Sequence, residues 1–198
     1  MKKLAVLISG GGSNLQAVID AVAGGEICAG ICAVISSNAD AYGLQRAKNA
    51  GIPTAVASLK EFDSRAERDA FIIKILQAHN PDYVVLAGYL GILTPEFIAA
   101  YKNKIINIHP SLLPKFGGDG MHGVGVHKAV IAAGEKISGA SVHYVDNGID
   151  TGEVIAQESL VVLPNDTPES LQKRILENIE HKLLVKVLAD LCSDKKAR

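Results

Sequence analysis

LAVLISGGGSNLQAVIDAVAGG, from Leu4 to Gly25, joins five apolar residues to a run of glycines and then to an apolar pattern of helical period. Leu4–Ile8 is too short for a buried helix and reads as a strand; Asn14–Gly25 reads as a helix. A strand that enters a helix through a glycine turn is the opening unit of a parallel α/β sheet. The pattern repeats outward: ICAVI (31–35), TAVAS (54–58), YVVLA (83–87) and KIINI (104–108) alternate with the helical segments GLQRAKNAG (43–51), ERDAFIIKILQAH (67–79) and PEFIAAY (95–101). Short apolar runs of this kind are covered on both faces, which predicts a doubly wound, Rossmann-like α/β fold with a mostly parallel sheet. After about residue 137 two longer runs, Ile137–Val145 and Glu153–Leu163, flank DNGIDTG and predict antiparallel strands towards the C-terminal side. In NDTPESL, Thr167 is the expected N-cap and Pro168 the first residue of a last helix reaching about Leu191, followed by a polar, frayed tail from Ser193.

A chain of 198 residues with 48% hydrophobic content fills one core, so a single domain over 1–198 is expected, with 1–100 as its phosphate-binding half and 101–198 as its catalytic half. Twenty basic against 21 acidic residues leave a net charge of -1, which advertises neither nucleic acid nor an anionic membrane and points to small-molecule partners. The apolar start is too short for a signal peptide and reads as the first strand; no run is long enough to span a bilayer. Cys28, Cys32 and Cys192 lack zinc-type spacing and read as reduced core or near-core thiols of a cytoplasmic protein.

Ligands of open α/β sheets sit beyond the carboxyl ends of the strands, which selects the loops after Leu4–Ile8, Tyr83–Ala87 and Lys104–Ile108. In the first, the N–H groups of Gly11, Gly12 and Ser13 at a helix start suit a phosphate. The loop has no Walker lysine, has Leu15 where the dinucleotide fingerprint wants glycine, and has no acid at the end of the second strand. A monophosphate remains, with Ser13 and Asn14 as side-chain donors. The same residues also suit a tight turn with a serine N-cap, and the loop alone does not choose between the two. In IINIHPSLLPKF (105–116), Asn107 and His109 share one face of a strand end, and the prolines then turn the chain away. Asparagine offers a neutral donor to an oxygen gaining negative charge, and histidine can move a proton near neutral pH. Of the two acids in VDNGIDTGEV, Asp150 is the better partner for the imidazole, since Asp146 in Asp-Asn-Gly suits turn capping. No serine or cysteine nucleophile is suitably placed, which favours direct attack by a substrate group.

NIHPSLLPKF, with LISGGGSNLQ, VLAGYLGIL, SVHYVDNGIDTGEVI and ENIEHKLL, closely resembles the phosphoribosylglycinamide formyltransferases, folate-dependent enzymes of purine synthesis, in order and over nearly the whole chain. The resemblance implies 10-formyltetrahydrofolate as co-substrate, no metal, and formyl transfer to the glycinamide amine through a tetrahedral intermediate. It implies that Asn107 holds the formyl oxygen, that His109 is the general acid, and that Asp150 raises the histidine pKa and fixes the transfer water or imidazole. It further assigns Gly12, Ser13 and Asn14 to the ribonucleotide phosphate and Glu180 to the glycinamide ammonium. Leu90, Gly91, Ile92 and Leu93 are assigned to the pterin, and Arg65 to the folate. Without it, Arg65 and Glu180 read as solvated helix charges.

Three departures stand out. Gly91 replaces an arginine of some members, Glu177 brings a carboxylate towards the phosphate side, and the glycine-rich segment Gly117–Gly125 is long enough for a mobile loop over the site. His122 and His127 read as a loop and a helix-start histidine rather than metal ligands. Within the same chemistry, a hydrolase is expected to carry a domain before the first strand and a tRNA-directed enzyme a basic domain after the last helix. A non-catalytic phosphate or nucleotide sensor would have no use for Asn107, His109 and Asp150 together. The expected state is a monomer or homodimer.

Overall fold

The computed structural model describes residues 1–193, so the polar tail beyond Ser193 lies outside the described residues. Seven strands, β1 (Lys2–Ile8), β2 (Ala29–Ser36), β3 (Thr54–Val56), β4 (Tyr83–Leu86), β5 (Ile105–His109), β6 (Ile137–Tyr144) and β7 (Val154–Val161), form one sheet in the order β3-β2-β1-β4-β5-β6-β7. Pairing is parallel from β3 through β5; β6 and β7 then run antiparallel, as the longer C-terminal runs predict.

Alternation along β1 builds a core on each face. Leu4, Val6 and Ile8 pack with Leu15 and Val18 of α1 (Ser13–Ala23) and with Leu44 of α2 (Tyr42–Asn49). The same face receives Val130 of α5 (Val124–Ala132), Leu171 of α6 (Pro168–Ile175) and Leu184 of α7 (His181–Cys192). Ala5 and Leu7 face the other way, against Ile72 and Leu76 of α3 (Arg65–His79) and Phe97 of α4 (Pro95–Ala100). Caps fix the helix starts: Ser64 Oγ accepts from the Glu67 N–H at 3.2 Å, and Thr167 and Ser170 form a reciprocal capping box with Pro168 in the first turn.

Three local expectations are corrected. The N-cap of α1 is Gly12, not a serine: its φ of 69° is left-handed, and a Cβ there would stand 2.7 Å from Gly43 Cα. Cys28 is exposed rather than near-core; Cys32 is half-buried and Cys192 buried. The last helix is not uniform, because a π-helical turn, Leu176–Glu180, joins α6 to α7.

Candidate active site

The chain winds one way through β1, β2 and β3 and the other way through β4 and β5, so the topological switch lies between β1 and β4. A cavity of about 530 Å³ opens there, within the usual size for a small-molecule site. Its walls come from the glycine loop after β1, the loop after β4, the end of β5, the turn before β7 and the π-helical turn.

Asn107 and His109 project from the end of β5 into this cavity, as their spacing predicts. Asn107 is paired across the antiparallel ladder with His143 of β6, so their side chains share a face and meet: Asn107 Nδ2 lies 3.0 Å from His143 Nε2. His143 Nδ1 lies 2.8 Å from the Tyr144 carbonyl, which can only accept, so Nδ1 carries a proton; Nε2 sits between Asn107 and Asp150, 3.0 Å from Asn107 Nδ2 and 3.6 Å from Asp150 Oδ1. This contact holds the Asn107 amide against the cavity wall.

His109 is almost wholly buried, and its Nε2–H donates to the Phe116 carbonyl at 2.8 Å. Its other nitrogen, Nδ1, is therefore the one left to exchange a proton, and it lies 3.5 Å from Asp150 Oδ2. Burial pulls the imidazole below its ordinary pKa; the Asp150 charge and the Phe116 carbonyl push it up without restoring it, and His143 adds to the fall. The carboxylate thus acts on the histidine in the expected direction, but burial outweighs it in the free protein. Burial pushes the Asp150 carboxyl up, yet His143, the His109 charge and the Gly118 N–H at 3.1 Å together hold it below the usual range. Asp150 adopts a φ of 57° at the tip of its turn, whereas Asp146 accepts from the Gly148 N–H and the Thr151 hydroxyl, the capping role its sequence suggests. Phe116 and Gly118 therefore bind both members of the pair. Gly117 between them has no room for a side chain: a Cβ would approach Leu113 Cδ2 to 2.5 Å and Asp150 Cβ to 3.1 Å.

On the other side, the N–H groups of Gly12 and Ser13 at the start of α1 have no intrahelical partner and border the cavity. Asn14 does not present a free amide; its Nδ2 donates to Glu180 Oε2 at 2.8 Å, joining residues 166 positions apart, both buried. Burial raises the Glu180 carboxyl to about 7, with the Asn14 hydrogen bond opposing. Glu177 is exposed and faces Lys173 at 4.0 Å, so its charge is turned to solvent.

Leu90, Gly91, Ile92 and Leu93 line the wall formed by the loop after β4, with Leu90 62% and Ile92 44% exposed. Arg65, at the start of α3, is exposed and outside the cavity lining. The glycine-rich segment contributes Gly118–Gly123 to the cavity wall, His122 among them, whereas His127 is buried on α5 and pushed by burial, and by the charge of His109, to about 4. Among the described residues no three His, Cys, Asp or Glu side chains stand together as metal ligands. The anchors that the sequence does not reveal are His143, the Phe116 carbonyl and, beneath the loop after β4, Arg68 and Asp69; a polar His143 inside the apolar run ISGASVHYV is the one signal that could have marked the first.

Residues 2–188 match the family model described as formyl transferase. A chloroplastic phosphoribosylglycinamide formyltransferase of Arabidopsis thaliana is 39% identical over 98% of the chain, and the chain spans 66% of that relative, just under two thirds. The phosphoribosylglycinamide formyltransferase of Haemophilus influenzae is 46% identical over 89% of the chain and 81% of its own length. Glycinamide ribonucleotide transformylase 1 from Symbiobacterium toebii superposes with a TM-score of 0.91 at 39% identity, covering 97% of this chain and 88% of that one. Among the described residues no helix is long and apolar enough to cross a membrane. With the match extending over both faces of the sheet and over every loop that builds the cavity, the chain belongs to the formyl transferase family.

Proposed function

We propose that the chain transfers the formyl group of 10-formyltetrahydrofolate to the amine of 5-phosphoribosylglycinamide, in de novo purine synthesis. One observation carries the reading: Asn107, His109 and Asp150 meet in a single cavity, between an apolar loop on one side and a helix start facing a buried carboxylate on the other. The family implies a folate-type donor, and the apolar wall of Leu90, Ile92 and Leu93 beside unpaired loop backbone suits a flat heteroaromatic ring. When bound, that donor supplies an activated formyl carbon. Arg65, exposed on α3, is available to the charged tail of the folate.

The Gly12 and Ser13 N–H groups hold the phosphate of the acceptor, and Glu180 receives its ammonium with Asn14 orienting the carboxylate. A carboxyl near 7 is a better proton acceptor than an ordinary one, which helps free the amine for attack. The Asn107 amide, held by His143, donates an N–H to the oxygen that becomes negative as the new C–N bond forms. His109 moves a proton through Nδ1, and Asp150 favours the imidazolium while it lasts. In balance, the amine loses a proton, the old C–N bond breaks, and the leaving nitrogen gains a proton. Both substrates are small and soluble, and three free cysteines support a reducing, cytoplasmic setting. The test uses a donor labelled in its formyl carbon. Label recovered in the formylated ribonucleotide supports transfer; label recovered as free formate would replace it with hydrolysis.

A further inference from the structure

The loop Gly88–Thr94 exposes apolar side chains to the cavity, yet side chains of other elements hold its backbone from beneath at three points. Ser9 Oγ, just beyond β1, accepts from the Leu90 N–H at 2.8 Å and lies 2.6 Å from Ser37 Oγ. Arg68 Nη2 donates to the Ile92 carbonyl at 2.7 Å, and Asp69 Oδ2 accepts from the Thr94 N–H at 2.6 Å. Arg68 and Asp69 are neighbours on α3, both buried, and bonded to each other: Arg68 Nε and Nη2 reach Asp69 Oδ1 at 2.8 and 2.6 Å.

A buried ion pair is a poor source of net stability, because desolvating two charges offsets most of their attraction. Specifying a geometry is a better account of this one. Asp69 keeps Oδ1 for its partner and turns Oδ2 to the Thr94 N–H, whereas Arg68 gives Nε to its partner and shares Nη2 between that partner and the Ile92 carbonyl, so the pair holds two backbone groups two residues apart. The arginine also lies 6.0 Å from the centroid of the Tyr89 ring, and that ring leaves no space above it: a Cβ on Gly91 would stand 2.7 Å from its edge. Gly91, where some family members have arginine, is thus matched to Tyr89 beneath it.

We infer that Arg68 and Asp69, assisted by Ser9, are positioning residues that set which backbone groups of this loop remain to read the formyl donor; the inference rests on that loop being the donor site. The Leu90 N–H, Ile92 C=O and Thr94 N–H are taken. The Leu90 C=O, the Ile92 N–H and both backbone groups of Gly91 and Leu93 make no hydrogen bond among the described residues, so they are left to pair with the polar edge of a heteroaromatic ring. The clamp shapes donor affinity, because among the described residues the side chains of Arg68 and Asp69 bond only to each other and to this loop.

The test is steady-state kinetics of the full chain with Arg68→Lys and Asp69→Asn, varying 10-formyltetrahydrofolate and the ribonucleotide in turn. Expected is a rise of about ten- to a hundredfold in KM for the donor, with kcat and the ribonucleotide KM within about twofold of the parent. Ser9→Ala removes one anchor without exposing a buried charge, and keeps the test alive if the charge variants do not fold; it raises the donor KM alone, by about three- to tenfold. Ile92→Ala alters the loop's own apolar surface and reports on the donor site itself. A donor KM that moves in Ile92→Ala but not in the anchor variants overturns the clamp. One unmoved in all of them removes the donor from this loop, and kcat and both KM values changing together would reduce the pair to a general structural role.

Discussion

Replacing Glu180 by glutamine separates stability from function in a way that depends on pH. Glu180 is 7% exposed, and burial lifts its carboxyl from 4.5 to about 7. The folded protein therefore binds a proton that the unfolded chain has already released between those values, so stability falls as pH rises through this window. The difference of about 2.5 pKa units, at about 1.4 kcal/mol per unit, is worth about 3 kcal/mol once the pH exceeds 7. Below about pH 4.5 both states hold the proton and the cost disappears. Glutamine is neutral throughout and still accepts from Asn14, so it removes the cost. At pH 8 Glu180→Gln is expected to raise the melting temperature by about 6–12 °C in a chain of this size, and at pH 4.5 by almost nothing. In its proposed role Glu180 is the charge partner of the acceptor ammonium, so the same variant is expected to raise the ribonucleotide KM about tenfold or more. Scanning calorimetry at both pH values decides: an equal melting-temperature change at pH 4.5 and 8, or none at either, means that Glu180 is not held as a half-neutral acid.

Two further outcomes follow from the geometry. Asp150→Asn removes the charge that supports protonation of His109, so the alkaline limb of the kcat/KM profile moves to lower pH and kcat falls about 10²- to 10⁴-fold; an unshifted limb would dissociate Asp150 from the proton transfer. Gly12→Ala places a Cβ 2.7 Å from Gly43 Cα at a left-handed φ, and is expected to weaken ribonucleotide binding while leaving the donor KM unchanged. Equilibrium binding of the ribonucleotide to this variant at the parent's affinity would move the phosphate elsewhere.

Local patterns in the sequence carried the strand–glycine–helix opening, the alternation down to β5, the antiparallel pair and the Thr167 cap, because each is written in a few adjacent residues. Asn107, His109 and Asp150 were legible for the same reason: a strand end and a turn project them, and short spacing reports both. What stayed hidden depends on contacts between distant segments. His143 orients Asn107 only because β6 pairs with β5 in the register that sets 107 against 143, and nothing local fixes that register. Arg68 and Asp69 look like one more charged helical turn beside Arg65, yet three residues of rotation bury them and leave Arg65 exposed. Phe116 acts through its carbonyl, which side-chain identity does not reveal. The π-helical turn at Leu176–Glu180 lies in a stretch whose apolar spacing still reads as ordinary helix; there Glu177 faces outwards and Glu180 is buried against Asn14.

Whether one cavity joins a formyl donor to an amine acceptor is read most directly from the absorbance change on deformylation of 10-formyltetrahydrofolate with and without 5-phosphoribosylglycinamide. The site described here predicts deformylation only when the ribonucleotide is present, with loss of most turnover in His109→Ala. Equal deformylation in its absence would contradict the account, because water rather than the amine held at Glu180 would then be the acceptor.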